Sequence, residues 1–490
     1  MRDPFAPLTR KQRLRGRWLQ LQRTLARPLR PSRLSPRREG PPNLVLVGVD
    51  TLRRDHATAE LMPAVTARAA GGLDLADVTA PAPWTLPSFT GALTGLMPTL
   101  HGALLPGAVR NMDRQPPNRL QDGVTTLAAH LAGQGYATGA IYANQFFAFG
   151  LAESFGEHRY LNLPADDMLA AASDWIRRHA DRPFCCFVLL NDPHEPTTPP
   201  TDLLAPELDR LDLAAPTRDE LRGLAGWGDP HRAEAHLGHC GWPLPGTARR
   251  ARQLKSAIYR ATVRQVDRAL ERFFHRLDGW GLADNTLCTV FSDHGEEFCD
   301  HAAEAHSWNH DPREARGIGH GHTQFQELLH VPWLNWGAGV PAGPPRTDPV
   351  SLLDLAPTLT DWLGLPALAL PRTAPGLVGR SLAGGNSDAD RLILAEATAY
   401  GPDLVALRRG SWKLVSHRDS RVLGLYDLST DPRERDDLQH SRPEKLAVLK
   451  TDLAEWRMTA PDAGSGNGGD GWSSLDDEVR QRLKGLGYGE

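Results

Sequence analysis

Four residues scattered along this chain have the chemistry to hold a divalent metal with a nucleophile on top of it. They are Asp50, Thr85 in the run Thr85-Leu86-Pro87-Ser88, and the adjacent pair Asp293-His294. Two carboxylates and an imidazole suit zinc, manganese or iron better than calcium, which prefers oxygen ligands alone. A threonine hydroxyl is a poor nucleophile at its own pKa; coordination to a cation lowers that pKa and aims the oxygen. Such equipment attacks a phosphate or sulfate ester. Each residue also has a plainer reading. An Asp after a strand is commonly a cap or turn residue, and Thr85 or Ser88 fits the N-cap of a helix running to Leu93. Ser88 fits capping better than catalysis. For Thr85 the two readings are compatible, because a helix N-terminus also favours an anion in front of it.

Further histidines stand where a leaving group or oxyanion would lie. His194 closes Asp192-Pro193-His194, and His320 and His322 sit in Gly319-His320-Gly321-His322. His194 and His322 are assigned to protonating a leaving oxygen, and His320 to binding a substrate oxygen. The chain has 19 histidines, so most must serve structure or face solvent.

The elements around these residues predict an α/β fold. The apolar run 44–49 reads as a strand buried on both faces and ends at Asp50. Strands at 136–142, 184–190 and 286–291 follow; the last two end at Asn191-Asp192-Pro193-His194 and Ser292-Asp293-His294. With helices at 126–135 and 257–277, the alternation predicts a large central, mostly parallel sheet flanked by helices. Ligands in such folds bind at the carboxyl ends of the strands, where these polar clusters fall. Short strands at 405–408, 412–415 and 423–426 and a helix at 444–456 predict a small C-terminal antiparallel sheet. The expected organisation is a basic tail and linker (1–41), a large α/β unit (42–389) and a small α+β subdomain (390–460). A Gly-rich segment expected to be flexible, with a terminal helix at 476–486, completes it (461–490). Residues 201–250, rich in Pro, Gly and Trp, read as an insertion or lid.

Composition sets outer bounds. The chain has 490 residues, 40% hydrophobic and 23% charged, enough for a sizeable core. A net charge of -4 argues against a specific nucleic-acid partner. The five cysteines, Cys185, Cys186, Cys240, Cys288 and Cys299, lack metal-finger spacing and read as buried thiols in a reducing compartment. No apolar run is long enough to span a membrane, and the N-terminus lacks the hydrophobic core of a signal peptide. A cytoplasmic location is expected. Residues 1–40 carry 12 Lys or Arg against two acids, with Leu14, Trp18, Leu21 and Leu25 at helical spacing. Both a solvated basic tail and a peripheral membrane helix stay open.

Several segments, in order, resemble the sulfatases of the alkaline phosphatase superfamily. They include Leu44 through Asp50-Thr51-Leu52-Arg53-Arg54-Asp55-His56, Trp84-Thr85-Leu86-Pro87-Ser88 and Leu96-Met97-Pro98 to His101-Gly102. Asp192-Pro193-His194, Ser292-Asp293-His294-Gly295-Glu296-Glu297, His320-Gly321-His322 and Asp354-Leu355-Ala356-Pro357-Thr358 continue the match. The resemblance implies the superfamily's sheet and a small second domain. It also implies a hydrolase of small-molecule, glycan-linked or lipid-linked esters. The departures carry the chemistry. Sulfatases of this kind attack with a formylglycine made from Cys or Ser in a motif that also holds an arginine. Here Thr85 holds the nucleophile position and Phe89 the arginine position. Threonine cannot yield that aldehyde, so no formylglycine is expected. Members that use threonine directly act on phosphate esters. The resemblance therefore implies one divalent metal on Asp50, Thr85, Asp293 and His294, and a phosphate mono- or diesterase working through a covalent Thr85 intermediate. By the same carry-over Asn144 holds a substrate oxygen. Calcium-type members place a second Asp where this chain has Thr51. A sulfuric ester hydrolase, a phosphoglycerol-type phosphotransferase and a non-catalytic binding protein remain as alternatives.

Overall fold

Seven consecutive buried residues, Asn43–Val49, form β1 near the centre of an eight-stranded sheet. In this computed structural model the described residues are 40–459, apart from 113, 195–198, 218–245, 310–316, 374, 386, 387 and 420. The predicted tail at 1–39, the greater part of the 201–250 insertion, Cys240 and the terminal helix lie outside them. The other strands are β2 (Leu73–Thr79), β3 (Ala137–Tyr142), β4 (Glu157–Tyr160), β5 (Phe184–Leu190), β6 (Thr286–Phe291), β7 (His330–Gly337) and β8 (Val350–Ser351). Their order is β8-β2-β7-β6-β1-β5-β3-β4. β1 runs parallel to both neighbours, β5 and β6. β7 alone opposes its neighbours, antiparallel to β6 and β2, so the mostly parallel sheet is mixed on one side.

The side chains of β1 alternate between two cores, as strand pleating requires. Val45, Val47 and Val49 enter one apolar cluster; Leu44 and Leu46 enter the other. Burying each such side chain contributes about 1.5–3 kcal/mol. Among the helices of the described residues that cover the two faces and the small sheet are α1 (Thr85–Thr94), α2 (Leu127–Gly133), α3 (Ala165–His179), α4 (Gly246–Gly279), α5 (Leu355–Trp362) and α6 (Pro443–Thr459). α3 and α4 supply the valine-side cluster; α1, α2 and α5 supply the other. α4 starts well before the expected residue 257 and runs for 34 residues.

The small antiparallel sheet, β9 (Leu392–Ala395), β10 (Leu404–Arg409), β11 (Trp412–His417) and β12 (Val422–Asp427), lies in simple sequential order. Leu449, Leu453 and Trp456 of α6 pack on its Leu407, Leu414 and Leu425. The four described cysteines are free, buried thiols. No helix among the described residues is long and apolar enough to cross a membrane.

One close approach sets α1 on the sheet. A Cβ added at Gly48 would stand 2.7 Å from the Phe89 ring. That ring is fully buried and meets Phe187 and Phe291 edge-on, at centroid distances of 6.0 and 5.7 Å. It has no room to retreat, so the bare backbone at Gly48 lets α1 dock with Thr85 above the strand ends. Gly48→Ala is expected to cost about 1–3 kcal/mol by overpacking, read as a lower midpoint in chemical denaturation. An unchanged midpoint would show that α1 is not seated through this contact.

Candidate metal centre

Asp50 follows β1 directly, and its amide extends the sheet by donating to Leu190 O at 2.9 Å. Asp293 and His294 follow the adjacent parallel strand β6 after Ser292. The register of two neighbouring strands thus delivers three side chains to one end of the sheet. All three are completely buried.

His294 Nε2 lies 3.5 Å from Asp50 Oδ1 and 3.2 Å from Asp293 Oδ2. Its Nδ1 donates to the Gly295 carbonyl at 2.9 Å. A carbonyl only accepts, so the tautomer is fixed and Nε2 offers a lone pair to the carboxylates. Burial, with help from nearby His320, pushes the His294 pKa down to about 3, so the ring is neutral at physiological pH. Asp50 Oδ1 and both Asp293 carboxylate oxygens have no hydrogen-bond partner. Burial, followed by the Asp50 charge, holds the Asp293 carboxyl well above its usual range. Neighbouring backbone amides offset part of this shift, yet none reaches those oxygens in hydrogen-bonding geometry. An uncompensated buried charge costs several kcal/mol. Orphaned carboxylate oxygens facing an imidazole lone pair form an arrangement that a divalent cation relieves. The three ligand atoms lie within 4.8 Å of one another, and their N/O set suits zinc, manganese or iron.

Thr85 opens α1 behind an extended Trp84, and no side chain caps that helix. Its Oγ1 lies 3.3 Å from His294 Nε2 and accepts from Asn144 Nδ2 at 3.2 Å. The same Asn144 nitrogen donates to Asp50 Oδ2 at 2.8 Å. Asn144 Oδ1 accepts from the Phe146 amide at 3.0 Å, which fixes the orientation of the side-chain amide. Asn144, expected on a substrate oxygen, therefore bridges the candidate ligand and the candidate nucleophile. The capping role expected of Ser88 is corrected: Ser88 sits inside the helix, and its hydroxyl donates to the Asp293 carbonyl at 2.6 Å.

The loops behind the ligands are tied together. Ser292 Oγ accepts from the Leu52 amide at 2.9 Å and donates to His294 O at 2.8 Å. Gly295 is required by space, since a Cβ there would fall 1.9 Å from Glu327 O. Thr51, next to Asp50, adopts φ 61°, a left-handed conformation that costs a β-branched residue on the order of 1–3 kcal/mol. His101, also buried, sits under α1 with Nε2 donating to Pro87 O at 3.1 Å.

The three outer histidines are placed differently from one another. The His320 ring lies 4.5 Å from that of His294 and 5.0 Å from that of His194, centroid to centroid. Its Nδ1 faces both Glu296 carboxylate oxygens at 3.3 Å. His322 is more deeply buried, with Nε2 on Glu297 Oε2 at 2.7 Å. Two charged groups escaped sequence reasoning. Glu296 is buried, and burial raises its pKa against the pull of the basic side chains around it, His194, Lys255, His294 and His322. Lys255 of α4 is buried too, and burial lowers its pKa to about 7 against the attraction of Glu296. Glu296 stands inside the Asp-His-Gly-Glu-Glu run and was visible there. A single lysine on an amphipathic helix carries no signal of its own.

The family model described as sulfatase matches residues 42–365. Mouse arylsulfatase K is 29% identical over 203 residues, 38% of this chain and 33% of that protein. The low-salt glycan biosynthesis sulfotransferase Agl7 of Haloferax volcanii is 30% identical over 157 residues, 30% of this chain and 35% of its own length. The chain thus matches about a third of the length of these relatives. Among solved structures, the phosphonate monoester hydrolase of Silicibacter pomeroyi superposes with TM-score 0.63 at 18% identity, covering 86% of this chain and 97% of that one. A protein solved with its substrate D-glucosamine-2-N,6-O-disulfate gives 0.64 at 17%, covering 87% and 100%. These likenesses establish the fold. With the family model spanning well over half of its residues and Asp50, Thr85, Asp293 and His294 gathered at the strand ends, the chain belongs to the sulfatase family of the alkaline phosphatase superfamily.

Proposed function

We propose that this protein is a metal-dependent hydrolase of phosphate mono- or diesters that works through a covalent intermediate on Thr85. The observation that carries the reading is the position of the Thr85 hydroxyl, 3.3 Å from His294 Nε2 and held by Asn144 beside Asp50. The family's aldehyde nucleophile cannot be made from threonine, so the hydroxyl itself must attack. Asp50, Asp293 and His294 would hold the ion, with zinc, manganese or iron preferred over calcium. Once bound, it would lower the pKa of the hydroxyl and neutralise a non-bridging oxygen of the ester.

The protein groups divide the remaining work. Asn144 fixes the rotamer of Thr85, so that Oγ1 faces the reacting centre before substrate arrives. Thr85 Oγ1 gives up its proton to solvent and forms a bond to phosphorus as the ester oxygen leaves. That oxygen takes a proton from His194 or His320, which stand together beside His294. Glu296 orients His320 through Nδ1. Water then displaces Thr85, returning a proton to the histidine that gave one, and releases phosphate from a monoester or a phosphomonoester from a diester. His322, on Glu297, supports this wall of the site rather than meeting the leaving group. A sulfate ester as substrate is the second reading, favoured by the sequence identity to arylsulfatase K. Phosphonate monoesters fall within the first reading, as does the fold of the Silicibacter pomeroyi hydrolase.

Thr85→Ala is expected to abolish turnover while zinc or manganese still binds. Assay against aryl phosphate, bis-aryl phosphate and aryl sulfate checks both the nucleophile and the substrate class. Full activity in the variant refutes the assignment, and turnover of the sulfate alone selects the second reading. Metal uptake carries its own signature. Burial and the Asp50 charge favour a proton on the Asp293 carboxyl, and a bound ion favours its loss. Zinc binding should therefore release protons and tighten as pH rises. Calorimetry in buffers of different ionisation enthalpy counts them, and Asp293→Asn should remove that release.

A further inference from the structure

The strained residue beside Asp50 is held from outside the sheet. Thr51 O accepts from the Tyr259 hydroxyl at 2.6 Å, and that hydroxyl accepts in turn from the Arg53 amide at 3.0 Å. One oxygen of α4 therefore spans the turn that begins at Thr51. Between these two residues the Leu52 amide reaches Ser292 Oγ at 2.9 Å. The Tyr259 ring is buried and wedged edge-on between His56 and Phe298, each 5.0 Å away centroid to centroid. Tyr259 touches neither Asp50 nor Thr85 in any hydrogen bond, and the reaction proposed above does not use it.

We propose that Tyr259 is a positioning residue for the metal centre: its hydroxyl locks the left-handed turn at Thr51 that aims the Asp50 carboxylate at Asp293 and His294. Asp50 is anchored on one side by its amide, which continues the sheet to Leu190. On the other side its orientation depends on the peptide between Thr51 and Leu52. A threonine left to itself abandons positive φ, because its branched Cβ crowds the backbone there. The same move would turn the Thr51 carbonyl away from its buried partner. The hydroxyl removes that freedom, and it stays neutral because burial drives its pKa far above the usual tyrosine value. Asp50 Oδ1 has no hydrogen-bond partner of its own, so a relaxed turn would let that carboxylate swing away.

This inference rests on the reading of Asp50, Asp293 and His294 as a metal centre, and its test reads metal rather than activity. Zinc affinity of the full chain is measured by competition with a chromogenic chelator, alongside the melting temperature of the metal-free protein. Tyr259→Phe, which deletes only the hydroxyl, is expected to weaken zinc binding by about 10–100-fold, the usual effect of losing an outer-shell partner. Adding Thr51→Gly should recover most of that loss, since glycine accepts positive φ without strain. The double variant also keeps the test open if the single one does not fold. A lower melting temperature with unchanged zinc affinity overturns the proposal and leaves Tyr259 a packing residue. A loss that Thr51→Gly does not repair overturns it as well. Wild-type protein that takes up no zinc or manganese refutes the metal centre itself, a result distinct from both.

Discussion

Asp50 and Asp293 point their carboxylates toward one another, and toward the unprotonated nitrogen of His294, in a place closed to water. Among the described residues no hydrogen-bond donor reaches Asp50 Oδ1 or the Asp293 carboxylate oxygens, and several structural features are needed to hold the convergence. Strands β1 and β6 bring the three residues to one sheet end, but they end before any ligand atom is aimed. The aiming comes from hydrogen bonds to the loops. Ser88 takes the Asp293 carbonyl, Ser292 joins the two loops, Asn144 takes Asp50, and Gly295 fixes the imidazole from behind. Each contact is modest alone, about 0.5–1.5 kcal/mol net. Together they hold a site that would open if tied less firmly.

How much of this was legible in the sequence follows from where each force resides. The strands β1, β5 and β6 were legible because strands buried on both faces must be apolar throughout, and the polar residues after them stood out. β4 was invisible: Glu157–Tyr160 is an exposed edge strand with no apolar alternation, held in the sheet by pairing with β3. The antiparallel course of β7 could not be read either, since direction is set by chain connection and not by composition. In the site, the candidate metal ligands and Thr85 were singled out because their types carry chemistry. Ser88, Ser292 and Tyr259 were passed over because what they do is to hold backbone groups more than 200 residues away in sequence. Types as common as serine and tyrosine do not announce such partners.

Phe89 shows how the same helix serves folding and chemistry at once. In the family pattern its position belongs to an arginine linked to maturation of the nucleophile. In this chain the side chain is an aromatic fully enclosed by Phe187, Phe291 and the bare backbone of Gly48. An arginine there would bury an unpaired charge at a cost of several kcal/mol. The helix has thus exchanged a polar position for core, and Thr85 at its start keeps a hydroxyl that needs no maturation. Both departures fall on one helix: Thr85 opens it, and Phe89 joins it to the core.

What remains for substrate choice is the wall built by His194, His320 and Lys255 around Glu296. These residues come from three separate segments: the loop after β5, the Gly-His-Gly-His turn and the long helix α4. None of them is needed to hold the ion, so their charges are adjustable while the centre is not. Glu296 faces several basic groups on that wall. The fold is shared with proteins of 17–19% identity whose substrates differ. That breadth is physically reasonable if the strand ends fix the reaction and the outer wall selects the molecule that undergoes it.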